Sequence, residues 1–492
     1  MNKRVLIAAV AGALLLAGTG LYVLTAPEPA TGLSDCNMVV VVIDSLRADH
    51  LGCFGYGRDT SPFLDSLAGQ SVFFERANSV SSYTCEVVPA LLSGLLPSSG
   101  GTGTGWLSAP PPEENLGEIF GRAGYKTGFF TDQPALVELP ADRGFGEVDH
   151  VEQRWGISQV GPRLSGRALE FVKKNKRKKF MMYVHYMDPH APYDPKKESY
   201  LRFAKEVYPK PLNLYDEVRP VLPQLLSEGF GPGEARFEDL MLRYDAEIYE
   251  ADTAIRLLFE GLQRQGVLDK TLVIITADHG EEFLDHGYVE HAWRLYAESV
   301  HVPLFFYAPK FLAPARVSQP VSLIDVAPTV LDLAGIQHGG TDFDGSPLFK
   351  RDGSAPVFAP RSKPLFAELL METRDHARMV IDGDYKYLAW QRYLAPDQCA
   401  HEAAVQDKQL ALLKAGQLPL IDPWGPVMRE ELYDVGSDPG EKQPVQDEAQ
   451  LARMRKILDE YKGLCQAKAQ KIRPQQRKLT EEEEAWKRRI GY

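Results

Sequence analysis

Long apolar runs without polar alternation predict that the centre of this chain is a sheet buried on both faces. Three such runs are MVVVVI (38–43), FMMYV (180–184) and TLVIIT (271–276). Between them lie segments with apolar residues every three or four positions, of which 237–266 is a long example ending at a glycine. This alternation predicts an α/β fold with a large, doubly wound, mostly parallel sheet flanked by helices.

The pattern changes after about residue 350. Residues 383–395 (GDYKYLAWQRYLA) are typical of an antiparallel hairpin arm, residues 447–466 of a charged helix, and residues 479–492 of a helix capped by Thr480. We therefore expect a main domain at 38–350 and a smaller C-terminal α+β subdomain with terminal helices at 351–492.

The amino terminus predicts export. Lys3 and Arg4 precede an apolar stretch at 5–24, which a Pro-rich segment follows. Residues 1–26 are therefore either a cleaved signal peptide or a retained single membrane anchor, and 27–37 form a linker. Positive charge before the stretch favours a periplasmic or otherwise extracytoplasmic main domain, with the membrane as a partner if the segment is retained.

Composition narrows the classes of function. Apolar residues make up 44% and charged residues 25% of the 492 residues, as in globular proteins. A net charge of −12 argues against nucleic acid as a partner, because a polyanion would be repelled. The five cysteines are widely scattered with no CxxC pair, so neither a zinc ribbon nor a dense disulfide framework is expected.

Each of the three apolar runs ends in a residue that can carry chemistry. The first runs into Asp44, the second into His185, and the third into Asp278 and His279 after Ala277. Ligands of open α/β sheets bind at the carboxyl ends of the strands, so we expect these side chains to converge on one site. Carboxylates with an imidazole suit one divalent metal ion, Mn²⁺ or Zn²⁺ ahead of Ca²⁺.

Longer motifs resemble the sulfatase family of the alkaline phosphatase superfamily. They are VVVVIDSLRADHLGCFGYGRDTSPFLDSLA, VHYMDPHAPYDP, DKTLVIITADHGEEFLDHG and ELYDVGSDPGE, in the family's order. The resemblance covers the chain from about residue 38 onward. It implies that 38–350 is a sulfatase-like catalytic domain with an alkaline phosphatase-like fold.

The resemblance also implies roles for individual residues. It implies that Asp44, Asp278 and His279 bind the metal ion, and that His190 and His291 contact the charged oxygens of the substrate. Many sulfatases have a second acid directly after the first, where this chain has Ser45. That departure resembles the single-manganese or single-zinc centres of the phosphate-ester branches more than a calcium site rich in carboxylates.

Two further residues have alternative interpretations. His185 is either a hydrogen-bonded strand-end residue or a substrate-binding group, and we assign it to substrate binding. Arg47 either neutralises the substrate anion or pairs with an acid such as Asp49. We include Arg47 among the candidate substrate-binding residues.

The nucleophile is Thr84 or Cys85 in the stretch SSYTCEVVPALLSG (81–94). Sulfatases normally convert a Cys or Ser in the motif C/S-x-P/A-x-R to formylglycine, but Cys85 begins Cys-Glu-Val-Val-Pro. Alignment from ALLSG, which matches the family's LLTG, instead puts Thr84 at the nucleophile position. Thr84 followed by Pro89 also resembles the superfamily's phosphoethanolamine transferases, which use an unmodified Thr. We therefore predict Thr84 as the nucleophile and do not expect formylglycine.

Physical chemistry supports this assignment of Thr84. A helix that starts near Thr84 offers free N–H groups to a tetrahedral anion, and a metal ion touching the hydroxyl oxygen lowers its pKa. Thr84 is therefore also a candidate metal ligand. The alternative is that Thr84 only caps the helix, which is a common role for Thr.

Three functions follow from these features. The first is an exported, metal-dependent hydrolase or transferase in which Thr84 attacks an anionic sulfate or phosphate ester of a sugar, lipid or small molecule. The second is a conventional sulfuric ester hydrolase, with a modified Cys85 or with Thr84 acting directly. The third is an inactive family member that binds an anionic glycan or lipid headgroup.

Overall fold

The structure is a computed structural model. The predicted signal or anchor segment, most of the linker and the predicted helix at 479–492 lie outside the residues that it describes. Among the residues described, no helix is both long and apolar enough to cross a membrane. The described residues are 33–99, 114–133, 136, 140–150, 160–205, 212, 214–338, 340–352, 355–370, 376–392 and 426–472.

The strands follow the apolar runs of the sequence. In chain order they are β1 (Asn37–Ile43), β2 (Val72–Asn78), β3 (Lys126–Thr131), β4 (Glu147–His150), β5 (Phe180–Tyr186), β6 (Thr271–Ala277), β7 (Glu282–Phe283), β8 (Val289–Glu290), β9 (His301–Tyr307), β10 (Ala315–Val317), β11 (Val321–Ser322), β12 (Phe349–Asp352), β13 (Ala355–Phe358), β14 (Leu365–Leu369), β15 (His376–Asp382), β16 (Tyr385–Arg392) and β17 (Arg429–Asp434).

The helices occupy the segments with three- and four-residue periodicity. In chain order they are α1 (Pro62–Ala68), α2 (Thr84–Ser93), α3 (Leu116–Arg122), α4 (Gly161–Asn175), α5 (Lys197–Tyr200), α6 (Leu222–Ser227), α7 (Ala235–Arg264), α8 (Ala297–Val300), α9 (Val326–Ala334) and α10 (Glu448–Ile472). The end of α7 just before Gly266 agrees with the sequence pattern.

The main sheet has the strand order β10-β2-β9-β6-β1-β5-β3-β4, with β11 also paired to β2. Its central strands β6, β1, β5 and β3 are parallel, and β9 is antiparallel to both neighbours. Strands β1, β5 and β6 are buried along their whole length, because helices cover both faces. The predicted doubly wound α/β fold is confirmed.

A second, antiparallel sheet with the order β14-β15-β16-β17 follows in the chain. Successive side chains along its strands point to opposite faces of the sheet, and each face packs against a different part of the protein. One face, which includes Val380 and Tyr387, joins the main core together with Met454 of α10. The other face packs around Tyr296 and Val300, just before β9. The C-terminal α+β part is therefore packed directly against the main core.

Strand register determines what lies at the carboxyl edge of the main sheet. Ile43, the last residue of β1, is level with Tyr186 of β5 and with Ala277 of β6. Asp44 and Asp278 each follow directly, so their side chains leave neighbouring strands at the same height. The three strand ends converge as the sequence predicted.

Candidate active site

The first element of the site is a pair of fully buried carboxylates, Asp44 and Asp278. Asp278 Oδ1 accepts hydrogen bonds from the backbone N–H groups of Ser45 (3.2 Å) and His279 (2.8 Å). Its other oxygen, Oδ2, is buried and has no hydrogen-bond partner in the described residues. A buried carboxylate oxygen without a donor is costly, so this atom indicates a position for a cation.

The two carboxylates differ in their surroundings. Burial alone would raise the pKa of Asp44, but the imidazoles of His190, His185 and His279 hold it well below its usual range. For Asp278, burial and the neighbouring charge of Asp44 raise the pKa. Two carboxylates in one buried site repel each other, and a divalent cation between them would remove that repulsion.

The His279 ring completes the group that could hold a cation. Its Nδ1 lies 2.9 Å from the Gly280 carbonyl oxygen, which can only accept, so Nδ1 carries the hydrogen and Nε2 a lone pair. Nε2 is 3.6 Å from Asp278 Oδ2, 3.8 Å from Asp44 Oδ1 and 3.1 Å from Thr84 Oγ1. Ligands bonded at about 2.0–2.2 Å to one cation are separated by about 3–4 Å, so these residues fit a metal ion.

Gly280 holds this turn close to the rest of the fold. A Cβ at this position would lie 2.0 Å from the Glu298 carbonyl oxygen. The backbone N–H groups of Gly280 and Glu281 donate to the carbonyls of Ser299 and Glu298. The glycine in the ADHG motif therefore allows the close backbone contact that fixes the His279 ring.

His185 lies against the same carboxylates. Its Nε2 is 3.2 Å from Asp44 Oδ2 and 3.9 Å from Asp278 Oδ2. Asp44, His185 and Asp278 each offer one ligand atom, and these atoms lie within 4.8 Å of one another. The structure thus brings His185, which we assigned to substrate binding from the sequence, next to the candidate metal ligands.

Thr84 is the first residue of α2 and is buried. Tyr83 is the N-cap residue and caps through no side-chain hydrogen bond. The Thr84 hydroxyl therefore does not cap the helix; it lies 3.1 Å from His279 Nε2. The positive end of the α2 dipole lies beside it.

Cys85 lies in a different environment. Its side chain is 3% exposed and packs within the main hydrophobic core. Of the cysteines that the structure describes, which are Cys36, Cys53, Cys85 and Cys465, none forms a disulfide.

His190 and His291 lie together beside His279. The His291 ring is stacked on His279 with centroids 4.4 Å apart, and its centroid is 4.9 Å from that of His190. His190 donates from Nδ1 to the Ala191 carbonyl (2.6 Å), because a carbonyl can only accept. The structure therefore brings Asp44, Asp278 and Thr84 together with three histidines, His190, His279 and His291.

Glu281 is a residue of this site that the sequence interpretation missed. Its carboxylate is fully buried, lies 2.9 Å from His291 Nδ1 and accepts a hydrogen bond from the Tyr193 hydroxyl (2.8 Å). Burial raises the pKa of Glu281 to about 7, although His190 and Tyr193 oppose the rise. The sequence could have indicated Glu281, because it lies two residues after His279 in the motif TADHGE.

Gln133 was also missed. Its side-chain amide donates to Asp44 Oδ2, the oxygen that also faces His185. Gln133 follows β3 by two residues, so it comes from a fourth strand end at the same edge of the sheet. No motif in the sequence marked it.

The backbone around the site is strained. Ser45, next to Asp44, has φ = 55°, and the two neighbours of His291, Glu290 and Ala292, have φ values of 72° and 62°. Left-handed conformations in non-glycine residues cost of order 1–3 kcal/mol and concentrate at functional sites. The partly buried ion pair between Arg219 and Glu290 (2.9 Å) connects the strained His291 segment to another part of the chain.

Arg47 directs its guanidinium group to acids of its own chain. Nε and Nη2 donate to Asp49, Nη1 and Nη2 donate to Asp285, and Nη1 also donates to the Glu281 carbonyl. The pairing with Asp49, which the sequence left open, is present. Through the Glu281 carbonyl, Arg47 supports the backbone of the residue that contacts His291.

Comparison with known proteins is consistent with this geometry. The family model described as Sulfatase matches residues 36–336. An N-acetylglucosamine-6-O-sulfatase of Bacteroides thetaiotaomicron is 19% identical over 86% of this chain and 84% of its own length.

Two solved structures share the fold. BT4656 was solved in complex with its substrate D-glucosamine-2-N,6-O-disulfate. Its TM-score with this chain is 0.65, and it is 17% identical over 90% of this chain and 100% of its own length. The phosphonate monoester hydrolase of Agrobacterium radiobacter has a TM-score of 0.60 and 18% identity over 88% of this chain and 95% of its own. The chain belongs to the sulfatase family of the alkaline phosphatase superfamily, and it is an enzyme of the class that hydrolyses sulfuric or phosphoric esters.

Proposed function

We propose that this protein is a metal-dependent ester hydrolase or transferase in which Thr84 attacks an anionic sulfate or phosphate ester. The observation that carries the proposal is the position of the Thr84 hydroxyl. It lies at the start of α2 and 3.1 Å from His279 Nε2, which is itself 3.6 Å from the unpartnered Asp278 Oδ2. A hydroxyl between a helix amino terminus and a cation-binding group is in a suitable environment for activation.

The residues that would hold the cation are Asp44, Asp278, His279 and Thr84. Two carboxylates, an imidazole and a hydroxyl form a mixed oxygen and nitrogen set, which favours Mn²⁺ or Zn²⁺ over Ca²⁺. When bound, such an ion acts as a Lewis acid that stabilises negative charge and lowers the pKa of a neighbouring hydroxyl.

The surrounding histidines supply the remaining chemistry. Thr84 loses its hydroxyl proton to water once its pKa is lowered, and Oγ then attacks the sulfur or phosphorus atom in line with the bond to the leaving oxygen. That bond breaks, and the leaving oxygen takes a proton from His291, whose other ring nitrogen is held by Glu281. His190 already donates from Nδ1 to the Ala191 carbonyl, so it takes the doubly protonated imidazolium form to donate from Nε2 to an oxygen of the anion as well. Water or an acceptor alcohol then removes the group from Thr84.

The substrate class is an anionic ester of a sugar, lipid or small molecule. The relatives' sulfated glucosamine substrate and the phosphonate monoester hydrolase activity make a sulfated amino sugar and a phosphonate monoester the first compounds to test. We further propose that the enzyme is exported, with residues 1–26 as a cleaved signal or a single membrane anchor, so that its substrates lie outside the cytoplasm.

A conventional sulfatase with a modified Cys85 is the second candidate, and the sulfatase relatives favour it. Against it stand the packing of Cys85 in the core and the contact of Thr84 with His279. The inactive binder is the third candidate. It gives no reason for an unpartnered buried carboxylate oxygen beside two imidazoles.

Metal dependence provides the test. The protein is stripped with a chelator, reloaded with Zn²⁺, Mn²⁺ or Ca²⁺, and assayed on p-nitrophenyl sulfate, bis(p-nitrophenyl) phosphate and p-nitrophenyl phenylphosphonate. We expect hydrolysis that stops on chelation and returns with about one Zn²⁺ or Mn²⁺ per chain. Activity that is unchanged after complete removal of metal would refute the proposed mechanism, and no activity with any metal would favour the inactive binder.

A further inference from the structure

The proposed metal centre leaves His185 without a role. Its imidazole is fully buried, with Nδ1 2.7 Å from the Tyr183 hydroxyl oxygen and Nε2 3.2 Å from Asp44 Oδ2. A ring this close to Asp44 and Asp278 is either a further metal ligand or a hydrogen-bond donor to a carboxylate. The two roles require opposite tautomers, since a ligating Nε2 needs a lone pair and a donating Nε2 needs a hydrogen.

The Tyr183 hydroxyl distinguishes between the two tautomers. Tyr183 is fully buried, and a phenol keeps its proton at neutral pH. A buried O–H needs an acceptor, and the acceptor that the structure gives it is His185 Nδ1. His185 Nδ1 therefore accepts, and Nε2 carries the hydrogen toward Asp44.

The Asp44 carboxylate has a matching arrangement. Oδ2 accepts from the Gln133 amide and faces His185 Nε2, so one side of the carboxylate is occupied by donors. Oδ1 faces the other way; it accepts a hydrogen bond from the Ser45 hydroxyl (3.0 Å) and lies 3.8 Å from Nε2 of His279. The two imidazoles therefore face opposite oxygens of Asp44, one with a hydrogen and one with a lone pair.

We propose that Tyr183 and His185 form a hydrogen-bonded chain that orients the Asp44 carboxylate, and that His185 is a positioning residue, neither a metal ligand nor a substrate-binding group. The inference rests on the metal centre of the proposed function and adds the residues that orient one of its ligands. Partners of this kind restrict a ligand to one orientation, and their loss typically lowers metal affinity about 10- to 100-fold.

Nitrogen NMR of the histidine rings reads the tautomer directly. The full chain, labelled with ¹⁵N-histidine and loaded with Zn²⁺, is recorded in a two-bond ¹H–¹⁵N correlation, and His185→Gln assigns the His185 signals. We expect His185 to show a protonated Nε2 and an unprotonated, uncoordinated Nδ1. His279 should show a protonated Nδ1 and a zinc-bound Nε2.

A second pair of variants tests the chain without removing an imidazole. Tyr183→Phe removes the hydroxyl that fixes the tautomer and should weaken Zn²⁺ binding about 10-fold, measured by competition with a chelator. Tyr186→Phe is the matched control. Tyr186 is buried on the same strand, but its hydroxyl lies 2.8 Å from Ser165 Oγ, so zinc affinity should not change.

The outcomes separate this inference from the function on which it rests. A zinc-bound Nε2 on His185 would overturn the positioning role and leave the metal-dependent function intact. Equal zinc affinities of the Tyr183→Phe and wild-type proteins would also overturn it. A wild-type chain that binds no Zn²⁺, Mn²⁺ or Ca²⁺ would overturn both.

Discussion

Helix α2 connects two buried pairs of carboxylates that are built differently. Its first residue, Thr84, contacts His279, whose Nε2 is within 4 Å of Asp44 and Asp278. Glu86, two residues later, lies beside Glu368 of the C-terminal sheet. All four acidic side chains are buried: Glu86 is 4% exposed, and the other three are 0% exposed. What distinguishes the pairs is how their oxygens are satisfied.

The Glu86 and Glu368 pair is satisfied by the chain itself. Glu86 accepts from the Ser81 hydroxyl (2.5 Å) and from the backbone of Leu370 (3.1 Å). Glu368 accepts from the backbone and hydroxyl of Ser98, and from Nε of the buried Arg378 (3.2 Å). Every carboxylate oxygen of this pair has a donor.

In the Asp44 and Asp278 pair, one carboxylate oxygen, Asp278 Oδ2, has no hydrogen-bond donor among the described residues. Imidazoles surround the pair, and imidazoles are also metal ligands. The two pairs therefore differ in how their negative charge is met. The first is neutralised by its own arginine and N–H groups, and the second leaves an oxygen that an added cation would satisfy.

Replacing the two neighbours at the start of α2 should give the largest effect. Thr84→Ala should lower kcat/KM at least about 10³-fold, because it removes the attacking oxygen of the metal-loaded enzyme. Cys85→Ala is the matched control and should keep activity within a few fold. A Cys85→Ala enzyme as inactive as Thr84→Ala would mean that the Cys85 side chain takes part in the reaction.

Removing one charge from each pair should move stability in opposite directions. In metal-free protein, Glu368→Gln leaves Arg378 buried without its counter-ion and should lower the free energy of unfolding by about 3–5 kcal/mol. Asp278→Asn relieves the repulsion with Asp44 and should raise the melting temperature of the same metal-free protein. It should also abolish the stabilisation that added Zn²⁺ gives the wild type. Destabilisation by both changes would remove the distinction between the pairs.

The pH dependence of the free energy of unfolding tests the pair formed by Glu86 and Glu368. Burial raises the pKa of Glu86 from 4.5 to about 8. Between these two pH values the folded state keeps a proton on Glu86 that the unfolded state releases. The stability that Glu86 contributes is therefore complete below pH 4.5 and is lost as the pH rises to about 8. Across that window the metal-free wild type should lose on the order of 4 kcal/mol relative to Glu86→Gln in urea unfolding. Parallel curves for the two proteins would contradict this prediction.

The smallest expected effect concerns the support of His291. Tyr193→Phe removes one hydrogen bond to Glu281, and Glu281→Gln replaces the carboxylate that His291 contacts. We expect kcat to fall about 10-fold for Tyr193→Phe and more for Glu281→Gln, with KM little changed. The losses should be larger for substrates with poor leaving groups, which need a proton most. Equal losses across leaving groups would show that Glu281 only maintains the local fold.

The sequence predicted the convergence of Asp44, His185 and Asp278 because it depends on a simple rule. Apolar runs of this kind become parallel strands, and the residues after them share one edge of the sheet. Thr84 was predicted from the resemblance to the sulfatase family, because alignment from ALLSG places it at the nucleophile position. The first inference uses general topology, and the second uses the family's motifs.

The remaining residues could not be predicted because their roles depend on contacts between distant segments. Glu86 meets the backbone of Leu370, 284 residues further along the chain. Gln133 reaches Asp44 through the position of β3 in the sheet, and Tyr193 reaches Glu281 from another loop. For Arg47 the sequence left two partners open, and only the fold brings Asp285 to its guanidinium group.

The central claim is that Thr84 carries the reacting group, and a mass spectrum tests it most directly. The metal-loaded enzyme is mixed with its best ester substrate, quenched in acid and digested with trypsin, and the peptide 77–122 is sequenced. We predict an unmodified Cys85 and a sulfate or phosphate adduct on Thr84 that is absent without substrate. An aldehyde in place of the Cys85 sulfur, with no adduct on Thr84, would contradict the account and identify a conventional sulfatase.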